Sequence, residues 1–252
     1  MQYLRKGKGA CYFVLLQVIL YCSFLILDFT AGSIELSNII KFSIVGICLC
    51  YALFFSGSVW QGQLFCLQLA LLFTVISDLC ILLLDYYLLG MISFCIVQQL
   101  YSRRLDLLNR KNKDIRAEQD GIRGLSIRLG LQLIVTIMTC LILQRFGIRI
   151  ESLLVVTTFY FISIITNVFR AVKLAALQPK DKGNVLFAIG ISLFLLCDIN
   201  VGFFNASDYI PLSGDLFEHL YSFSTILMWM FYAPSQVLIA LSAKIRKNSQ
   251  KY

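Results

Sequence analysis

The stretch Leu64-Phe-Cys-Leu-Gln-Leu-Ala-Leu-Leu-Phe-Thr-Val-Ile-Ser-Asp78-Leu-Cys80 has the length and apolar composition of a membrane-spanning helix, yet it contains an aspartate. A second stretch, Val185-Leu-Phe-Ala-Ile-Gly-Ile-Ser-Leu-Phe-Leu-Leu-Cys-Asp198, repeats this pattern. An ionisable side chain inside a span costs several kcal/mol and marks a candidate functional site. Every other acid can be placed at or beyond a helix end, and no buried basic residue is expected to neutralise these two.

The overall composition is that of an integral membrane protein. Of the 252 residues, 59% are hydrophobic and 14% are charged, and the mean hydropathy is +0.79, whereas a soluble domain carries about 25% charged residues. Windows of roughly 20 apolar residues predict an all-α fold with a single membrane domain over residues 1–252. The eight predicted spans cover about 11–28, 38–56, 63–84, 87–103, 125–144, 151–169, 184–204 and 220–243.

Two connections between the predicted spans are distinctive. Spans three and four are separated only by Asp85 and Tyr86, which predicts a tight helical hairpin. The only long connection runs from Ser102 to Ile127, and we expect a loop that is helical in part.

The basic residues are distributed unevenly between the two sides of these spans. If the N-terminus is cytoplasmic, all of the 22 Lys and Arg residues except Lys41, Arg145 and Arg149 lie on the cytoplasmic side. This is the positive-inside pattern, so both termini are predicted to be cytoplasmic. The net charge of +8 is then an orientation signal, with some attraction to anionic lipid headgroups. No nucleic-acid-binding motif accompanies it, and nucleic acid is not expected as a partner.

The two aspartates are predicted to lie at one depth in the membrane. Both belong to odd-numbered spans that run outward, roughly five or six residues before the outer end. If the two helices are neighbours, the carboxyls would repel each other and share a proton. One neutral and one ionised carboxyl would then serve as general acid and general base in one pocket. The alternatives are structural hydrogen bonds between helices, and a proton-coupled transporter or a lipid-binding membrane protein that uses the same aspartates as a proton relay.

Other polar residues within or near the spans are expected to complete a pocket. Lys41 is either a residue that extends to the membrane interface or a group that binds a phosphate or balances the aspartates. Tyr160 and Tyr232 fall within spans and need hydrogen-bond partners, and Pro234 predicts a kink that frees a backbone carbonyl. The full set of predicted substrate-binding residues is Lys41, Gln98, Tyr101, Tyr160, Tyr232 and Gln236.

The motifs of several common enzyme chemistries do not occur. There is no GxSxG, HExxH or P-loop sequence, which argues against the usual serine, zinc and nucleotide sites. The nine cysteines have no metal-binding spacing and are expected to be packing residues. We therefore expect no metal and no cofactor.

The order of these elements resembles the YhhN-like lysoplasmalogenase family of eight-span membrane proteins. The resemblance covers nearly the whole chain and rests on Lys41 and on four stretches: Leu71–Leu79, Asp85–Tyr101, Gly190–Asp198 and Tyr232–Ser242. It departs from the family pattern at Ser77 (glycine in the family), at Cys197 (serine) and at Gln98 (histidine), and the proline that follows the family lysine is absent. Glutamine cannot transfer a proton at neutral pH.

The resemblance implies a reaction that suits a carboxyl pair. Lysoplasmalogenases hydrolyse the vinyl ether of a lysoplasmalogen to a fatty aldehyde and a glycerophospho-alcohol, so the implied partners are a lysolipid substrate and membrane lipids. A vinyl ether is cleaved by protonation at carbon followed by attack of water, which requires an acid and a base. The implied catalytic pair is Asp78 and Asp198, and the expected location is a bacterial plasma membrane.

Overall fold

The computed structural model describes residues 2–30, 32–54, 62–110, 118–205 and 215–243, and within these ranges it is helical, without a strand. The all-α prediction is thus confirmed. The helices are α1 (Gln2–Phe29), α2 (Ile34–Phe54), α3 (Gly62–Asp78), α4 (Tyr87–Arg110), α5 (Glu118–Arg145), α6 (Ser152–Leu177), α7 (Lys182–Asn205) and α8 (Asp215–Leu241). A π-helical segment, Leu79–Leu83, continues α3.

Six of these helices are long and apolar enough, within the described ranges, to cross a membrane. They are Gly9–Phe29, Ile34–Phe54, Gly62–Leu83, Gly124–Arg145, Ser152–Leu177 and Lys182–Asn205. The chain is therefore a multi-pass membrane protein. The other two helices are α4, whose last turns are charged, and α8, whose described apolar part is Ile226–Leu241.

A tight hairpin joins α3 to α4, as the sequence predicts. Asp85 turns the chain in the left-handed region, with φ of 56°, and the Tyr86 amide donates to the Cys80 carbonyl at 2.8 Å. The Ser77 hydroxyl donates to the Gly90 carbonyl at 2.6 Å. A Cβ on Gly90 would overlap the side chain of Ile81, so a glycine lets the two helices approach this closely.

Helices α7 and α8 form the other closely packed pair. A Cβ on Gly190 would lie 2.8 Å from Ile239 Cγ1 and 3.0 Å from the Ser235 carbonyl oxygen. Glycine at this position lets the backbone of α8 pack directly on α7. The buried core lies among α2, α3, α4, α6, α7 and α8, whereas α1 and α5 carry many exposed apolar side chains on the outside.

The connection predicted for Ser102 to Ile127 is largely helical, because α4 continues to Arg110 and α5 begins at Glu118; residues 111–117 of that prediction lie outside the described residues. Asp106 of α4 forms ion pairs with Arg128 of α5 and Arg170 of α6. Paired charge therefore holds these three helices together near the ends of the predicted spans. We call the end of the bundle where α4 ends and α7 begins the basic end.

Candidate active site

Asp78 lies at the last residue of α3, directly before the π-helical segment. Its side chain is buried, and the Tyr232 hydroxyl of α8 donates to both carboxyl oxygens, at 2.9 and 2.8 Å. Single turns of π-helix are rare and often occur at functional sites, because they rotate the side chains that follow. The tyrosine supplies a hydrogen-bond donor to a carboxyl that is buried in an apolar interior.

Asp198 of α7 is held in a comparable way by a second tyrosine. The Tyr160 hydroxyl of α6 donates to Asp198 Oδ2 at 2.7 Å, and the Gln98 side chain of α4 interacts with Tyr160. The Asn167 amide nitrogen donates to the Gln98 backbone carbonyl at 2.7 Å and to its side-chain oxygen at 3.1 Å. Gln98 therefore belongs to the set of groups around Asp198.

Contacts with α4 place the two aspartates at a similar level in the bundle. Ser77, next to Asp78, donates to the carbonyl of Gly90. Phe194 lies one turn before Asp198 and packs on Phe94, which lies one turn after Gly90. Since α3 and α7 both run antiparallel to α4 in this arrangement, both carboxyls lie near the level of Gly90.

Helices α3 and α7 are nevertheless not close neighbours. In the described parts of the chain, α3 packs mainly on α2 and α4, and α7 packs mainly on α6 and α8. The Phe194 ring lies between the two tyrosines, with its centroid 5.3 Å from that of Tyr232 and 6.5 Å from that of Tyr160. The buried Cys197 thiol interacts electrostatically with both carboxyls. The two aspartates thus face a common aromatic centre, and a shared proton between them stays a prediction.

Lys41 is not at an exposed interface. Its side chain is 8% exposed, and its ammonium forms an ion pair with Asp28 at 2.9 Å. The ammonium also lies over the ring of Trp229, 4.9 Å from its centroid. Trp229 packs edge-on against Tyr232, with centroids 5.3 Å apart. Lys41 is therefore connected to Asp78 by successive contacts through the Trp229 and Tyr232 rings. A basic residue is thus buried within the spans, but the acid with which it pairs is Asp28 and not Asp78 or Asp198.

Sequence reasoning missed Asp28 and Trp229 as parts of this site. Asp28 lies near the end of α1, and the Ser37 hydroxyl and Lys41 of α2 both bind its carboxyl. The position of Lys41 near the start of the second span, at the same membrane face as Asp28 at the end of the first, indicates such an ion pair. Trp229 precedes Tyr232 by three residues, a spacing that places both on one face of α8.

Two predicted pocket residues lie beside the site rather than on the carboxyls. Tyr101 is fully buried three turns beyond Gly90 on α4, where it packs against Phe187 and interacts with Thr74. Gln236 is fully buried one turn after Tyr232, and its amide nitrogen donates to the Ser235 hydroxyl at 3.4 Å. Their role in substrate binding stays a prediction.

Pro234 lies inside α8 and has the expected effect on the backbone. Proline has no amide hydrogen, so the carbonyl four residues earlier, that of Met230, loses its helical donor. The Tyr21 hydroxyl of α1 donates to this carbonyl at 3.3 Å. The freed acceptor therefore binds a neighbouring helix, next to Trp229 and close to Tyr232.

Taken together, the site offers two carboxyls, two phenol hydroxyls and one buried ion pair in an aromatic surrounding. Carboxyls of this kind can donate and accept protons, and the tyrosines fix their orientation. Within the described residues, no group of three or more His, Cys, Asp or Glu side chains is arranged to hold a metal ion.

The comparison with known protein families gives one match. The model of the YhhN family matches residues 36–243, a range that includes Lys41, Asp78, Asp198 and Tyr232. Searches of curated proteins and of solved structures give no match. Because the matched range covers most of the chain, this protein is a member of the YhhN family.

Proposed function

We propose that this protein is an integral membrane hydrolase that cleaves the vinyl ether bond of lysoplasmalogen-type lysolipids, with Asp78 and Asp198 as its acid/base pair. One observation carries the proposal: each carboxyl is oriented by its own tyrosine, and both lie at one level around a common aromatic centre. Membership of the YhhN family is consistent with such a role.

The reaction needs only proton transfers and one water molecule. A neutral carboxyl donates its proton to the alkene carbon that is not bonded to oxygen, which produces an oxocarbenium ion. The other carboxylate accepts a proton from water as the water oxygen bonds to the cationic carbon. The hemiacetal hydroxyl then gives its proton to the carboxylate that acted as the acid, while the other carboxyl returns its proton to the glycerol oxygen as the bond to that oxygen breaks. The products are a fatty aldehyde and a glycerophospho-alcohol, and the carboxyl pair is restored. The two proton-transfer roles are divided between Asp78 and Asp198.

The surrounding residues have positioning roles in this proposal. The Tyr232 and Tyr160 hydroxyls keep the carboxyl oxygens in fixed directions, and Gln98 supports Tyr160. The aromatic rings stabilise the oxocarbenium ion, since ring faces attract positive charge. Lys41 would contact the lysolipid phosphate, while the single acyl-type chain stays in an apolar environment.

The direct test is release of aldehyde by purified protein from a vinyl-ether lysolipid. An alkyl-ether lysolipid of the same chain length serves as the control substrate, because it has no double bond to protonate. We expect aldehyde from the vinyl ether alone, and loss of that activity in Asp78→Asn and in Asp198→Asn. Asp85→Asn is the matched control, since Asp85 is an exposed acid in the adjacent turn. No aldehyde from the wild-type protein, or equal rates in the three variants, would contradict the proposal.

A second candidate function is proton-coupled transport, with the same aspartates as a relay. The connected groups Gln98, Tyr160 and Asp198 favour it, because intramembrane acids in hydrogen-bonded chains occur in proton pathways. Reconstituted vesicles with a pH-sensitive dye distinguish the two functions. Proton uptake that depends on Asp198, without aldehyde release, would favour the transporter.

We further propose that the chain crosses a bacterial plasma membrane eight times and that both termini lie in the cytoplasm. The distribution of the 22 Lys and Arg residues supports this orientation. Reporter fusions after residues 30, 54, 110 and 252 test it. We expect an outer location for the first and a cytoplasmic location for the other three.

A further inference from the structure

The basic end contains two adjacent arginines with unused hydrogen-bond donors. Arg104 is 4% exposed, and its Nε and Nη1 atoms have no hydrogen-bond partner among the described residues. The Nη1 atom of Arg103 is buried and unpartnered in the same sense. A buried guanidinium whose donors are not satisfied is costly, so such a group implies an acceptor.

Both arginines lie on α4, the helix that packs on α3. The Cys66 thiol, in the second turn of α3, interacts electrostatically with Arg103 and with Arg104. The beginning of a helix has free amide groups and the positive end of the helix dipole, and both favour an anion. A Cβ on Gly62, the first residue of α3, would lie 3.5 Å from Leu107 of α4, so the first turns of α3 lie beside the part of α4 that carries both arginines.

The other groups near Arg104 do not use these donors. The Arg104 Nη2 atom donates to the Ser242 carbonyl at the end of α8, at 3.1 Å, and the guanidinium carbon lies 4.3 Å from the centroid of the Phe187 ring. Asp181 interacts electrostatically with Arg104, but its Oδ1 atom accepts from the amides of Gly183 and Asn184 at the start of α7. The Nη2 atom is thus bound, and the Nε and Nη1 donors remain for a ligand.

We propose that Arg103 and Arg104, together with the beginning of α3, form a binding site for a phosphate group at the basic end. The fork of an arginine matches phosphate oxygens with paired hydrogen bonds. Basic pockets between membrane helices commonly hold lipid headgroups, and a free phosphate ion offers the same chemistry. This site is distant from Asp78 and Asp198 along the bundle and does not depend on the proposed hydrolase activity.

The test is thermal unfolding of the full-length protein in a non-ionic detergent at constant ionic strength. The probes are inorganic phosphate, short-chain phosphatidic acid and, as a phosphate-free lipid, short-chain diacylglycerol. We expect phosphatidic acid to raise Tm in a saturable way and diacylglycerol to leave it unchanged. An equal rise with inorganic phosphate assigns the site to the free ion, and a rise with the lipid alone assigns it to a headgroup.

Variants connect the effect to these two residues. We expect Arg103→Gln and Arg104→Gln to weaken the apparent affinity at least tenfold, and Lys173→Gln, which removes an exposed charge near the same end, to leave it unchanged. If Arg104→Gln does not fold because α8 loses its contact at Ser242, Arg103→Gln decides alone. No Tm rise with either phosphate probe, or a rise that survives in Arg103→Gln, would overturn the proposal.

Discussion

Replacement of Tyr232 by phenylalanine removes the two hydrogen bonds that hold Asp78 and leaves the ring in place. The hydroxyl lies 2.9 and 2.8 Å from the two carboxyl oxygens, in a side chain that is 5% exposed. A hydrogen bond to a charged group contributes about 1.5–3 kcal/mol, and water cannot readily replace it at this buried position. If that contribution is made while Asp78 transfers a proton, kcat should fall by roughly 10- to 100-fold.

The assay is initial aldehyde release from the vinyl-ether lysolipid, measured over a range of substrate concentrations. We expect the loss in kcat with little change in KM, because Tyr232 orients the carboxyl and the phenylalanine keeps its apolar contacts with Phe194 and Trp229. Tyr160→Phe should give a smaller loss, since Tyr160 binds one oxygen of a carboxyl that is only partly buried.

Tyr87→Phe is the matched control for this pair of variants. The Tyr87 hydroxyl also donates to an aspartate, Asp85, but at 3.3 Å and on the surface. Its removal should leave kcat within about twofold, because an exposed polar pair contributes little. A wild-type rate in Tyr232→Phe, or equal losses in Tyr232→Phe and Tyr87→Phe, would refute the role assigned to Tyr232.

Three further variants test the packing of the site, each followed by thermal unfolding in detergent. Lys41→Met leaves Asp28 unpaired and should destabilise the fold by about 1–3 kcal/mol. This is below the usual cost of breaking a buried ion pair, because the Asp28 side chain is 25% exposed. An unchanged Tm would contradict this expectation. Gly90→Ala brings a methyl group into Ile81 and should cost about 1–3 kcal/mol, whereas Gly130→Ala, in open space, should be neutral or stabilising; equal effects would contradict the close packing. Gln98→Ala should lower both Tm and kcat, since Gln98 is fully buried and interacts with Tyr160. A lower Tm with an unchanged kcat would contradict a role for Gln98 in positioning Tyr160.

Much of this fold follows from the sequence because a membrane helix satisfies its own backbone. Length and hydropathy place the helices, and the two-residue connection at Asp85 and Tyr86 predicts the hairpin that the structure contains. The helix ends at the basic end are less predictable, since α4 continues well past its apolar part to Arg110. There Asp106 pairs with two arginines from other helices, and pairing across helices has no signature in a single sequence.

The candidate site is predictable in its chemistry and less so in its contacts. An aspartate inside an apolar helix is conspicuous by its cost, and a tyrosine inside a span requires a partner, so these residue types could be selected without a structure. Which tyrosine binds which aspartate depends on helix packing. Helices α8 and α6 connect the two carboxyls, because α3 and α7 do not pack closely on each other. The pair of Lys41 and Asp28 was missed for the same reason.

Helix α8 connects the two halves of the site. Tyr232 binds Asp78 of α3, whereas the backbone of α8 packs directly on α7, the helix that carries Asp198, at Gly190. Trp229, which lies under the Lys41 ammonium, packs against the Tyr232 ring, and the Met230 carbonyl that Pro234 leaves without a helical donor accepts from Tyr21 of α1. A displacement of α7 therefore moves the hydroxyl that orients Asp78, even though α3 and α7 do not pack on each other. This indirect connection couples the positions of the two carboxyls.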